Sequence, residues 1–152
     1  MTCYPSQPMP EVVSTMVRHS VHEYGIVEAL RYKWIESEKA GRDLGESAIR
    51  TWVRHHWNGF LRARWLEHLE GRAFWIELDQ DDYGLLQHSF LDCPLKDEVL
   101  DRLKFGQENL DLINWAIDLG QDVEEVIRLL EALDINSRRI ECQFYVRLAQ
   151  AG

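Results

Sequence analysis

Between Arg42 and Leu78 the chain concentrates four of its six tryptophans, six arginines and three histidines (His55, His56, His68). Within that stretch Ile49, Trp52/Val53, His56/Trp57, Phe60/Leu61, Trp65 and Leu69 return every three or four residues. This is the helical period, and a stripe so long and bulky has to be covered by other elements. The stretch therefore predicts the central helix of the fold. Asp43 and Glu46 stand at capping-box spacing and mark its start, and Gly71 marks its end. Asn58-Gly59 leaves the period unshifted, so the expectation is one kinked helix or two collinear ones.

On the N-terminal side, Glu11–Lys39 reads as a helix that stops at Ala40-Gly41. Val13, Val17, Val21, Tyr24, Val27, Leu30 and Trp34 form its expected inner stripe. Gly25 either kinks this helix or permits close packing. Met1–Pro10 holds three of the four prolines, with neither a basic start nor an apolar core. It reads as a flexible tail and not as a secretory signal.

On the C-terminal side, Phe74, Ile76 and Leu78 alternate at strand period, and Asp79–Asp82 has turn composition. A return through Tyr83–Gln87 makes a hairpin; alternatively Asp81 or Asp82 caps a short helix reaching Phe90. Cys93-Pro94 breaks the chain, and four helical segments follow. Leu95–Phe105 turns Val99, Leu100 and Leu103 inward. Asn109–Leu119 has Leu110, Ile113 and Ile117 on one face. Asp122 and Glu125 open a helix carrying Val126, Leu129, Leu130 and Leu133, and Ser137 caps a last one with Ile140, Phe144, Tyr145 and Leu148 inside. The fold class is mainly α: a single compact domain of about five to seven helices over residues 11–152, with room for one small β-hairpin near residues 73–87. At 152 residues the chain is long enough to bury a full core without staples.

Charge divides the chain unevenly. Residues 41–72 carry four acids and six arginines, whereas residues 73–152 carry seventeen acids and seven bases, within a net charge of −9. An acidic protein repels nucleic acid at long range. No apolar run is long enough to span a bilayer, so no membrane partner is expected. Three widely spaced cysteines suit reduced thiols and a cytoplasmic location better than a disulfide framework.

No catalytic, metal or cofactor motif is complete. His19 and Glu23 share a helix face near His22, but the two ordered pairs of a di-iron bundle are missing. Asp79-x-Asp81-x-Tyr83-Gly84 begins like a calcium loop and fails at Tyr83 and at Phe90, where oxygen ligands are required. Cys93 near His88 lacks an oxyanion-hole segment. Arg50, Arg54, Arg62 and Arg64, with His55 and His56 between, offer a nucleic-acid face that local acids nearly balance. Tryptophan and arginine are also the residues that dominate binding hot spots. The expected function is a non-enzymatic, cytoplasmic interaction or regulatory protein, self-associating or binding a protein partner. Its partner-binding residues are expected to be Trp52, Arg54, Trp57, Arg62, Arg64 and Trp65. The alternatives are nucleic-acid binding along the Arg50–Arg64 face and a helical metalloprotein with His/Glu ligands.

Overall fold

The computed structural model describes residues 18–136 and 139–144. The expected N-terminal tail, residues 11–17 of the expected first helix, the Ser137 cap and most of the last helix lie outside the described residues.

Ser20 is the hinge on which the first element turns. Its side chain accepts from the backbone N–H groups of His22 and Glu23, so the helix starts only at Val21. Just before it, Arg18–His19 is extended and forms strand β1. Helix α1 then runs Val21–Ala40 and ends at Gly41, whose φ of 73° is the left-handed conformation of a helix stop. Helix α2 spans Glu46–Glu70 as one unbroken helix, so Asn58-Gly59 neither breaks nor divides it. The Asp43/Glu46 capping box does not form. Gly45 is the N-cap residue, and Asp43 instead accepts from the Gly45 N–H at 2.9 Å to turn the chain.

Strand β2 (Phe74–Trp75) follows α2, but the hairpin does not exist. β2 pairs in parallel with β1, Arg18 opposite Phe74 and His19 opposite Trp75. Glu77, just past β2, accepts from the Val21 N–H at 2.8 Å and from the Ser20 hydroxyl, so this loop pins the start of α1. A short helix does follow, as in the alternative reading, but neither Asp81 nor Asp82 caps it: Asp79 caps a 3₁₀ turn at Gln80–Asp82, and Gly84 is the N-cap residue of α3 (Leu85–Ser89). Helices α4 (Lys96–Lys104), α5 (Asn109–Asp118) and α6 (Val123–Leu133) complete the described fold. No helix among the described residues is long and apolar enough to cross a membrane.

Helix α2 is central, as its period predicts. Trp52, Trp57, Leu61, Trp65, Leu66 and Leu69 are buried along it. Val99, Leu100 and Leu103 from α4 and Val126, Leu129, Leu130 and Leu133 from α6 join the same core, each on the expected face. Two indoles are tied down by polar bonds as well as packing. Trp57 Nε1 donates to the Ile140 carbonyl and Trp65 Nε1 to the Leu133 carbonyl, both at 2.7 Å.

Helices α1 and α2 approach closely because Gly25 has no side chain. A methyl group there would stand 2.8 Å from Trp57 Cζ3 and 3.3 Å from Phe144 Cε1. Gly25→Ala would gain about 1 kcal/mol of helix propensity. Overpacking costs about 1–3 kcal/mol, and the bonded Trp57 ring has little freedom to yield. The expected result in a urea melt is a net loss of about 1–2 kcal/mol, and a larger loss for Gly25→Val.

Candidate interaction surface

The residues expected to form a Trp/Arg surface separate on folding. Trp52, Trp57 and Trp65 are core residues, 6%, 5% and 2% exposed. Arg62 grips both carboxylate oxygens of Glu108 at 3.0 and 3.1 Å and reaches the Gln107 carbonyl at 3.3 Å. Arg64 pairs with Glu67 at 2.8 Å while its guanidinium lies over the Phe60 ring at 4.7 Å and the Trp75 ring at 5.5 Å. Arg50 reaches Glu46 at 3.5 Å. Of the six, Arg54 alone stays exposed, beside exposed His55 and His56. The density of tryptophan and arginine thus builds the core and its rim, where guanidinium groups cover aromatic faces and neutralise acids.

The other candidates fare as follows. Among the described residues no three His, Cys, Asp or Glu side chains converge to hold a metal. His22 stacks on Trp57, whereas His56 sits against Tyr32. Asp79 spends a carboxylate oxygen on the Asp81 N–H at 2.9 Å, as a turn residue does. Burial pushes the Cys93 thiol up, and neighbouring Glu125 adds to the effect, so this thiol is the reverse of an activated thiolate.

The exposed apolar surface lies elsewhere. In α1 the buried residues are Val21, Gly25 and Ala29, four apart. The expected inner stripe after Val21 therefore points outward: Val27 is 52%, Leu30 47% and Trp34 65% exposed. Successive helical residues are rotated by about 100°, which puts Leu30, Trp34 and Val27 almost opposite the Gly25 side. The reason is steric. The bulky tryptophans of α2 fill the space between the helices, so α1 presents its small residues to them. Helix α5 repeats the pattern. Leu112 and Ala116 are buried, Ile113 is half-buried, and Leu110 and Ile117 face solvent at 67% and 58% exposure.

An open groove of about 600 Å³ adjoins the α1 stripe, lined by Leu30, Lys33, Trp34, Ser37, Arg42 and Asp43 among others. A second, of about 480 Å³, lies between α1 and α2, with Tyr32, Ile35, Trp52 and Phe60 as apolar walls and His55 and His56 at its edge. The α1 stripe and its groove hold the sequence's missed candidates, Val27, Leu30 and Trp34. The signal that could have found them is the second, four-residue spacing of Val21, Gly25 and Ala29 on the opposite face.

No family model matches the chain, and comparison with curated proteins and with solved structures returns no match.

Proposed function

We propose that this chain is a non-enzymatic interaction protein that self-associates through its outward apolar helix faces. The observation that carries the reading is α1, which is apolar on both sides: one buries Val21, Gly25 and Ala29, and the other exposes Val27, Leu30 and Trp34. A soluble helix ordinarily keeps one polar face, and a contiguous exposed apolar strip rimmed by charge marks a binding surface. Tryptophan is also the residue type most enriched at binding hot spots. The expected location is the cytoplasm, where a thiol such as that of Cys93 stays reduced.

Nucleic-acid binding is the weaker reading. Arg50, Arg62 and Arg64 are already paired with Glu46, Glu108 and Glu67, and the net charge of −9 opposes a polyanion. Light scattering over a concentration series tests the proposal. The expected mass rises toward twice the 17.9 kDa of one chain. An apolar contact is expected to persist at high salt, where exposed charge pairs are screened. A single-chain mass at every concentration and salt level would sink the proposal.

A further inference from the structure

Helices α5 and α6 carry a one-sided charge. From Asn109 to Asn136 the chain holds seven acids and one base, Arg128. The acids just before them are spent: Glu98 pairs with Arg102, and Glu108 with Arg62. Asp111 and Asp122 accept the backbone N–H groups of Glu108 and Glu125 as caps. Asp118, Glu124 and Glu131 are exposed and have no ion-pair partner among the described residues. The same two helices enclose an apolar groove. An opening of about 280 Å³ lies between them, with Ile113, Leu130 and Ile135 among its walls and exposed Ile127 and Glu131 beside them. Rotation of about 100° per residue puts exposed Ile117 and Leu110 about 40–60° round α5 from Ile113, on the side away from buried Leu112 and Ala116. On α6 the same rotation puts Glu131 and Glu124 about 40–60° from Ile127, on the side away from the core, with Arg128 further round at about 100°. Across the two helices the surface is therefore apolar on α5, then grooved, then edged by free carboxylates on α6.

We infer that the α5–α6 face binds a basic amphipathic helix of another protein. The incoming helix sets its apolar side on Ile113, Ile117 and Ile127 and its lysines or arginines against Glu124 and Glu131. Binding of a helix in a groove uses apolar anchors at three- and four-residue spacing, and charge along the flank fixes its orientation. The free carboxylates select this occupant over others. A second copy of the chain would bring the same acids against these, and a nucleic acid or an anionic lipid surface would be repelled as well. The nearest bases of other elements do not cancel the acidic edge. Arg62 and Arg139 line a separate small cavity beyond Ile135 and Asn136, where Arg62 is held by Glu108 and Arg139 donates to the Asn136 carbonyl at 3.3 Å. The inference goes beyond the self-association proposed above, which is carried by α1.

Fluorescence anisotropy with labelled model peptides tests the inference. One peptide carries leucine at helical positions i, i+3, i+4 and i+7 and lysine elsewhere. Its counterpart replaces every lysine with glutamate. The lysine peptide is expected to bind the wild-type chain at least about tenfold more tightly than the glutamate peptide. Ile117→Ser and Glu131→Lys are each expected to weaken the lysine peptide about tenfold, and Glu124→Lys added to Glu131→Lys to weaken it further. All three positions are exposed, so the melting temperatures should stay those of the wild type. Trp34→Glu, on α1, is expected to bind the peptide as the wild type does, which separates this face from the one proposed for self-association. No binding, equal binding of the two peptides, or a lysine-peptide affinity that Ile117→Ser leaves unchanged overturns the inference and leaves self-association to its own test.

Discussion

Trp65→Ala is expected to destabilise the protein by about 3–5 kcal/mol, the largest loss among the single substitutions considered. Trp65 is 2% exposed at the middle of the core, so its removal leaves a cavity lined by rigid neighbours. The indole N–H also satisfies the Leu133 carbonyl at 2.7 Å, at the C-terminal end of α6. Alanine leaves that oxygen without its donor, which adds to the cavity cost. A domain of this size loses about 2–4 °C of melting temperature per kcal/mol, so a fall of roughly 6–20 °C is expected by calorimetry. Trp65→Phe fills part of the cavity but still lacks the donor, and should fall between the two. A variant that melts within a degree or two of the wild type would show that α2 is not the organising helix.

The second large effect concerns His68, a polar side chain with 0% exposure. Its Nδ1 accepts from the Trp75 N–H at 3.2 Å, and its Nε2 lies 2.8 Å from the Asp79 carbonyl, to which it donates. Those two partners assign the neutral tautomer with the proton on Nε2. A second proton on Nδ1 would break the bond to Trp75. Burial accordingly holds the His68 pKa below the ordinary value of 6.5, although Asp79 and Asp82 pull the other way. Below 6.5 the unfolded imidazole binds a proton that the folded one resists, so the unfolded state gains protons and stability falls. The stabilisation is complete above pH 6.5 and is lost as pH drops from there toward the folded pKa. His68→Leu leaves the Trp75 N–H without its acceptor, while the Asp79 carbonyl loses one donor and keeps the Asp82 N–H at 3.1 Å, so the change should cost about 1–3 kcal/mol at pH 8. Denaturant melts from pH 8 to pH 5 should show a shallower acid-side decline for His68→Leu than for the wild type. An unchanged pH slope would contradict a buried neutral imidazole.

The contrast among helices shows what was legible in the sequence. Helices α2, α4 and α6 each have one apolar face, so their spacing identified most of the buried residues, although in α2 it included exposed His56 and missed Ala48, Leu66 and His68. Helices α1 and α5 are apolar on two faces, and there periodicity alone favours the bulkier stripe. In α1 the core took the smaller one, Val21-Gly25-Ala29, because the Trp57 ring leaves no space at Gly25 for a side chain, and in α5 it took Leu112 and Ala116 with Ile113 half-buried beside them. The β pairing was illegible for a different reason. A two-residue strand shows no period, and β2 pairs with a segment that lies before α1 instead of the residues next in sequence.

The candidate surface followed from the same misreading. Density of Trp and Arg between residues 42 and 78 pointed to a partner site, but tryptophans at helical spacing serve the core equally well. Arg62 and Arg64 needed distant or neighbouring acids to be seen as spent, and the Arg62–Glu108 pair joins residues 46 apart in sequence. What the sequence did contain was Trp34, outside the dense stretch and on a helix whose other face was already sufficient for packing.

Sedimentation velocity on the wild type and Trp34→Glu, run side by side over the same concentrations, tests the central claim most directly. The account predicts a wild-type dimer and a monomeric Trp34→Glu of unchanged melting temperature, with dimer affinity reduced at least about thirtyfold, as for loss of a hot-spot tryptophan. A Trp34→Glu chain that sediments as the wild type does at every concentration would contradict it.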